Sequence, residues 1–94
     1  MAKLWSVESG EELQVFRGHD GNVDISFSPQ GSVVATVGDE SDEIKLWSLK
    51  SGAELLTIKS NSDIYSISFS PSGKLLAGGS FDSAVRLWHT PRDL

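Results

Sequence analysis

Three side chains in the first half of the chain carry the functional groups of a hydrolytic triad. Thr36 offers a hydroxyl nucleophile, His19 an imidazole base and Asp42 a carboxylate to orient the base. A triad nucleophile needs an exposed, sharply turned position such as a Gly-x-Ser-x-Gly elbow, and the sequence contains none. A hydrolase is therefore only a remote alternative.

A second chemical candidate is the acidic stretch Asp39-Glu40-Ser41-Asp42-Glu43, which offers several oxygen ligands for a hard cation. It lacks the spaced Asp-x-Asp-x-Asp-Gly order of a calcium loop, so a solvated surface turn is the simpler interpretation. The chain has no cysteine and two histidines, which disfavours a zinc site. We expect no metal and no cofactor.

Composition narrows the class of partner. With 94 residues and a formal net charge of -5, the chain allows one domain and repels a phosphate backbone, so we expect no nucleic-acid partner. No apolar run approaches the roughly 18 residues of a membrane span, and no targeting signal is visible. We expect a cytoplasmic protein without a membrane partner.

The elements that position these residues follow a repeat. Trp5 and Trp47 are 42 positions apart, and Trp47 and Trp88 are 41 apart. The segment 25–29, Ile-Ser-Phe-Ser-Pro, returns as residues 67–71. The one-residue slip falls in the acidic stretch, as expected for an insertion in a surface turn. A period of about 40 residues indicates a repeat architecture.

Within each period, apolar and polar residues alternate as in β-strands, and Gly, Pro, Ser and Asp mark the turns between them. The pattern predicts antiparallel sheet throughout, with the runs around Val33 and Leu75 covered on both faces. Nine strands are predicted, near 3–7, 12–17, 23–28, 33–37, 44–49, 54–58, 64–69, 75–79 and 85–89.

A Gly-His pair, a Phe-Ser-Pro-x-Gly turn and a terminal Leu-Trp in a unit of this length resemble WD-repeat β-propellers, over residues 2–89. The resemblance implies an all-β propeller segment. In that family a His, a Ser or Thr, an Asp and the Trp of each repeat form a buried hydrogen-bonded tetrad. The matching residues here are His19, Thr36, Asp42 and Trp47, with Asp39 a rival for the acid.

The second unit departs from that pattern. Ser60-Asn61 replaces Gly-His and Gly78 replaces the hydroxyl, which leaves only Asp82 and Trp88 of the tetrad. The aspartate that usually follows the tryptophan is also absent, since Ser6, Ser48 and His89 occupy that place. The resemblance therefore implies a complete tetrad in the first unit alone, and a structural rather than catalytic role for His19, Thr36 and Asp42.

The chain is short for a propeller, which closes from about 4–8 blades. The strands make a partial blade at about 2–17, a full blade at about 23–58 and an incomplete blade at about 64–89. We expect self-association into a multi-chain ring that serves as an interaction scaffold, as a trimer with six blades or a tetramer with eight. The alternative is a C-terminal fragment of a longer scaffold protein, with its missing blades on another polypeptide.

In such a ring, strand 12–17 of one copy would complete the last blade of another, while strands 3–7 and 85–89 compete for one place. The resemblance also implies partner-binding positions in the loops near the propeller channel. Phe81 is the strongest candidate for a buried anchor, unless it and Tyr65 merely pack between blades. The full candidate set is Asn22, Asp24, Glu40, Tyr65, Ser66 and Phe81.

Overall fold

The computed structural model describes residues 1–19, 23–38 and 41–90, although not the side chains of Ser41 and Asn61. The strands are β1 (Ala2–Trp5), β2 (Glu12–Phe16), β3 (Val23–Phe27), β4 (Val33–Gly38), β5 (Ser41–Ser48), β6 (Glu54–Phe69), β7 (Leu75–Ser80) and β8 (Val85–His89). All pairings between them are antiparallel. The prediction of an all-β chain is confirmed.

None of the described segments forms a helix with the length and apolar character needed to cross a membrane.

The strands form three layers. The N-terminal pair consists of β1 and β2. The central sheet consists of β3, β4, β5 and the first part of β6, residues 54–59. The C-terminal sheet consists of the second part of β6, residues 64–69, with β7 and β8. Because β6 belongs to both sheets, hydrogen bonding runs without a break from β3 to β8.

The continuity of β6 corrects the prediction of separate strands at 54–58 and 64–69. The reason lies in the residues between them: Lys59 to Asp63 contain neither Gly nor Pro. The corresponding stretch of the first repeat carries Gly18 and Gly21, and there β2 ends at Phe16. Without a glycine to adopt a left-handed conformation or a proline to interrupt the hydrogen bonding, the backbone stays extended from one sheet into the next.

The acidic stretch also differs from expectation. The sequence predicted a turn from Asp39 to Glu43, whereas the structure includes residues 41–43 in β5. The pairing of β5 with β6 shifts register between Ser41 and Glu43, so Asp42 lies at a bulge. The extra residue is thus absorbed partly by an irregular strand. Asp39 and Glu40 lie outside the described residues.

One turn design recurs in both repeats. The Ser28 hydroxyl accepts a hydrogen bond from the Val33 amide at 3.1 Å, and the Ser70 hydroxyl accepts one from the Leu75 amide at the same distance. Between these ends the chain reverses through Gly31, which has φ +78°. The Pro-x-Gly signal in the sequence therefore predicts the turn because a left-handed residue is needed there.

Two apolar clusters hold the layers together. The larger lies between the central and C-terminal sheets and includes Ala35, Ile44, Leu46, Ile67 and Leu76. The smaller lies between the N-terminal pair and the central sheet, and is formed by Ala2, Phe16, Val34 and Trp47. The C-terminal sheet therefore covers one face of the central sheet, whereas the N-terminal pair covers the other face only in part and leaves Ile25 and Phe27 of β3 exposed.

The outer layers are covered on one face only. All six residues of β4 are buried, as predicted for a strand between two layers. The prediction that β7 is covered on both faces was wrong, because its residues alternate between buried and partly exposed. The physical reason is that no described layer packs against the outer side of the C-terminal sheet.

The turn glycine gives a first testable prediction. Replacing Gly31 by Ala should lower the free energy of unfolding by about 1–2 kcal/mol, because an L side chain is strained in the left-handed region. A Cβ atom at Gly31 would meet nothing within 4 Å, so a crowding contribution is not expected. Urea denaturation measures the effect. Gly31→Asn, which tolerates this conformation better, is the control, and an equal loss in both variants would contradict the explanation.

Candidate interaction site

The central sheet contains a buried chain of three polar side chains. Trp47 on β5 donates its indole N–H to the Thr36 hydroxyl on β4 at 2.8 Å. The His19 Nε2 atom lies 2.8 Å from the same hydroxyl. Thr36 can therefore accept from the indole while it donates to a neutral imidazole. These are three of the four residues assigned to the tetrad.

The fourth member is not settled by these contacts. Asp42 lies at the β5 bulge, and the hydrogen bonds between described residues include none to its carboxylate. The rival acid, Asp39, lies outside the described residues. The proposal that an acid completes the set at the other imidazole nitrogen stays a prediction.

Glycine makes room for the imidazole and the indole. A Cβ atom on Gly38 would lie 2.6 Å from His19 Cβ, and one on Gly18 would lie 2.8 Å from the Trp47 ring. Burial, and next the positive charge of Lys45, lower the pKa of His19 below its usual 6.5. The neutral imidazole is thus the form that the fold stabilises. Nothing in this arrangement exposes the Thr36 hydroxyl, which is buried, to a substrate.

In the second repeat, the tryptophan packs without a hydroxyl partner. Gly78 replaces Thr36, and the Trp88 ring lies so close that a Cβ on Gly78 would be 2.9 Å from its Cζ3 atom. Asp82 instead accepts from the Ala84 amide at 3.1 Å and forms an ion pair with Arg86. Asp82 therefore organises its own turn, and Trp88 packs against the larger core cluster.

The predicted partner-binding residues are partly brought together. Tyr65 and Phe81 are exposed and stack at a centroid distance of 5.2 Å, beside exposed Ser66. Asp24 has a different environment: its carboxylate accepts from the Ile67 amide at 2.8 Å and joins the central sheet to the C-terminal sheet. Asn22 and Glu40 lie outside the described residues. Three of the candidates, Tyr65, Ser66 and Phe81, thus lie together, on β6 and directly after β7.

A chain of two blades is expected to leave an apolar sheet face uncovered at each end of the stack, and the structure identifies the residues that form these faces. On the C-terminal sheet, Val85 is 77% exposed and Leu87 is 64% exposed. One repeat earlier, Ile44 and Leu46 hold the same places and are each 0% exposed. We call the outer side of the C-terminal sheet, marked by Val85 and Leu87, the trailing face.

At the opposite end of the stack, the exposed apolar residues lie on β3 of the central sheet. Ile25 is 40% exposed and Phe27 is 51% exposed, although their counterparts one repeat later, Ile67 and Phe69, pack into the larger cluster. We call the surface marked by Ile25 and Phe27 the leading face. The signal that identifies both faces is the 42-residue offset, which becomes informative once the layer that covers each residue is known.

Charge pairs also recur across the third and fourth strands of a unit. Lys45 on β5 donates to Glu54 on β6 at 2.6 Å, and this bond holds the pKa of the Glu54 carboxyl below its usual value. Lys3 on β1 pairs in the same way with Glu12 on β2 at 3.1 Å. Among the described residues, no group of His, Asp and Glu side chains has the geometry of a metal site.

The buried hydroxyl gives a second prediction. Thr36→Val keeps the shape of the side chain but leaves the Trp47 N–H without its acceptor, so the free energy of unfolding should fall by about 1–3 kcal/mol. The measurement is urea denaturation at one low protein concentration. The matched control is Thr57→Val on an exposed position, which should change stability by less than about 0.5 kcal/mol. Equal effects would show that the hydroxyl bonds are unimportant.

The lowered pKa of His19 gives a third prediction. The unfolded chain binds a proton near pH 6.5 while the folded chain resists it, so this contribution to stability is full above pH 6.5 and falls as pH drops below it. The slope is at most about 1.4 kcal/mol per pH unit for one proton. Unfolding curves between pH 5 and 7 measure it.

His19→Gln should flatten that slope, since the titrating group is gone. The control is His89→Gln, which alters an exposed histidine and should leave the slope in place. A slope that survives in His19→Gln would assign the pH dependence to another group.

Comparison with known proteins agrees with the repeat and its strands. The sequence profile of the WD40 family, described as "WD domain, G-beta repeat", matches residues 10–48 and again residues 52–89. No curated protein matches the chain. Since the two matches cover most of the sequence, the chain belongs to the WD-repeat family and contains two of its repeats.

Proposed function

We propose that the 94-residue chain is a non-catalytic interaction module that associates with other copies of itself to form a multi-chain propeller. WD-repeat domains are generally protein-interaction modules, and this provides the general class of function. The observation that carries the finer proposal is the pair of uncovered faces. Each is a surface that the same molecule buries one repeat away.

The trailing face presents the residue types that the central sheet presents to the C-terminal sheet. Val85 and Leu87 stand for Ile44 and Leu46, and Ala77 stands for Ala35. The leading face presents Ile25 and Phe27, which stand for Ile67 and Phe69 on the other side of that interface. The contact between the central and C-terminal sheets is therefore a template for a contact between two chains.

Polar groups extend the template. In the interface within the chain, Asp24 and Ser26 accept hydrogen bonds from the amides of Ile67 and Phe69, at 2.8 and 3.1 Å. One repeat later the corresponding acceptors are Ser66 and Ser68, and both are exposed. A second copy would bring the amides of its Ile25 and Phe27 to these two hydroxyls. Apolar burial and hydrogen bonding therefore favour the same alignment.

The energetic case is the cost of leaving these faces in water. Full burial of a Val, Leu, Ile or Phe side chain stabilises a structure by about 1.5–3 kcal/mol, and four such side chains are exposed on the two faces. The faces differ from each other, so the contact is heterologous and runs from one copy to the next until the ring closes. With two blades per copy, three copies make six blades and four make eight.

The proposed module takes protein partners and uses no cofactor, metal or nucleic acid. The Tyr65–Phe81 pair is the proposed anchor, because its two exposed rings lie in contact, with Tyr65 on β6 and Phe81 directly after β7. Asn22 and Glu40 complete the candidate set in loops. Asp24 is proposed as a joint between layers rather than a direct partner contact.

Our fourth prediction concerns the assembly. It is tested by light scattering after size exclusion, over a range of protein concentrations. The unmodified chain should approach a single trimer or tetramer. Leu87→Lys on the trailing face and Phe27→Lys on the leading face should each remain monomeric, because a charge would be buried in the contact. Val7→Lys replaces a fully exposed side chain away from both faces and should assemble normally.

Mixing the two lysine variants makes the test specific for a heterologous contact. The Leu87→Lys chain keeps its leading face and the Phe27→Lys chain keeps its trailing face, so the mixture should form a dimer that grows no further. A folded monomer of the unmodified chain at every concentration would overturn self-assembly. Polydisperse aggregates would instead favour missing blades on another polypeptide.

A further inference from the structure

The N-terminal pair reproduces the third and fourth strands of the central sheet. In β1 and β2 the opposed residues are Ala2↔Phe16, Lys3↔Val15, Leu4↔Gln14 and Trp5↔Glu12. In β5 and β6 they are Ile44↔Ile58, Lys45↔Thr57, Leu46↔Leu56 and Trp47↔Glu54. Each position differs by one repeat, and the register shifts after the same leucine. Strand β2 is therefore equivalent to the fourth strand of a unit, and β1 is equivalent to the third strand that pairs with it.

At the other end of the chain, β8 is a third strand without a fourth. Its register on β7 places Leu87 opposite Ala77, as Leu46 lies opposite Ala35. Among the described residues, β8 pairs only with β7, so its outer edge carries free backbone groups. In an assembly of copies, each β2 therefore has two candidate partners in the position of a third strand. One is β1 of its own chain, and the other is β8 of another copy.

We propose that β1 occupies on β2 the place that β8 of a second copy takes in the assembly, and that exchange of these two strands joins the copies. This inference rests on the proposed self-association and specifies its contact. In the exchanged joint, Val85 of one copy faces Phe16 of the next, Leu87 faces Gln14, and Trp88 faces Glu12. β1 must therefore leave β2 before β8 of the second copy can pair with it.

The packing explains why β8 is the better occupant. β1 has four residues, and its Trp5 is 54% exposed. It brings no other strand, so the leading face beside it stays uncovered. β8 arrives with β7 and residues 64–69, and this sheet would cover Ile25 and Phe27 as the central sheet covers their counterparts Ile67 and Phe69 within the chain. Val85 also offers more apolar area than Ala2, which it replaces.

Charge points to the same exchange. In both existing pairs a lysine on the third strand reaches a glutamate on the fourth, Lys3 to Glu12 and Lys45 to Glu54. Arg86 holds that lysine's place on β8 and has no fourth strand beside it. Its guanidinium is held by Asp82 through Nη2, while its buried Nε has no hydrogen-bond partner among the described residues. In the joint, Glu12 passes from Lys3 to Arg86 of the neighbouring copy.

Our fifth prediction is that a reversible disulfide between β1 and β2 prevents the exchange. Leu4 and Gln14 are directly opposed, so cysteines at both positions lie within disulfide range. The chain has no other cysteine. Oxidised Leu4→Cys/Gln14→Cys protein should stay monomeric, since β2 can no longer release β1. The same protein after reduction should assemble like the unmodified chain.

The control lock is Glu43→Cys/Lys59→Cys, which ties β5 to β6 where no exchange is expected. It should assemble in both redox states. A second measurement traps the joint itself: a Leu87→Cys chain mixed with a Gln14→Cys chain should give a mixed disulfide dimer by mass spectrometry. Leu87→Cys with Leu13→Cys should not, because Leu13 lies at the register shift and opposes no residue.

The outcomes separate this inference from the proposed function. Assembly of the oxidised Leu4→Cys/Gln14→Cys protein at normal concentration would overturn the exchange and leave self-association intact. A monomeric unmodified chain at every concentration would overturn both proposals, because the exchange rests on self-association.

Discussion

The structure depends on one constraint, that an apolar sheet face must be covered by the next layer. The central sheet meets it fully on the side of the C-terminal sheet, where Ile44 and Leu46 lose all contact with water, and only in part on the side of the N-terminal pair. The outer layers meet it on one side. Because the repeat places the same residue types at each layer, the uncovered faces keep apolar side chains suited to burial. Stacking of apolar sheet faces, more than any single bond, therefore holds the described layers together.

The two repeats stabilise the buried tryptophan position in different ways. In the first, Trp47 needs an acceptor because its N–H is buried, and Thr36 supplies it while also meeting His19. In the second, Gly78 removes the hydroxyl and lets the Trp88 ring approach the backbone. A polar chain fixes direction through hydrogen bonds, whereas the glycine contact fixes only distance. The first repeat is thus the more specifically ordered one.

The sequence predicted most of the fold because its signals are local. Alternation and Pro-x-Gly turns identify strands, and the 42-residue offset identifies equivalent positions. It failed where the outcome depends on neighbours. The joining of 54–58 to 64–69 goes with the lack of Gly and Pro between them, and the half-exposed side of β7 with the lack of a described layer over it. Among the predicted partner-binding residues, Asp24 accepts a hydrogen bond from a backbone amide of another sheet, a contact that the sequence does not reveal.

Periodicity itself creates the competition between β1 and β8. In the proposed exchange β1 and β8 take equivalent positions on β2, so backbone hydrogen bonding to β2 would not distinguish them. What differs is the surroundings that each strand brings. β1 is tethered to β2 by a short turn and therefore has a high effective concentration, while β8 brings a whole sheet face to bury. Concentration and apolar burial act in opposite directions, so the balance between a closed single chain and a ring is set by how much of the leading face the newcomer covers.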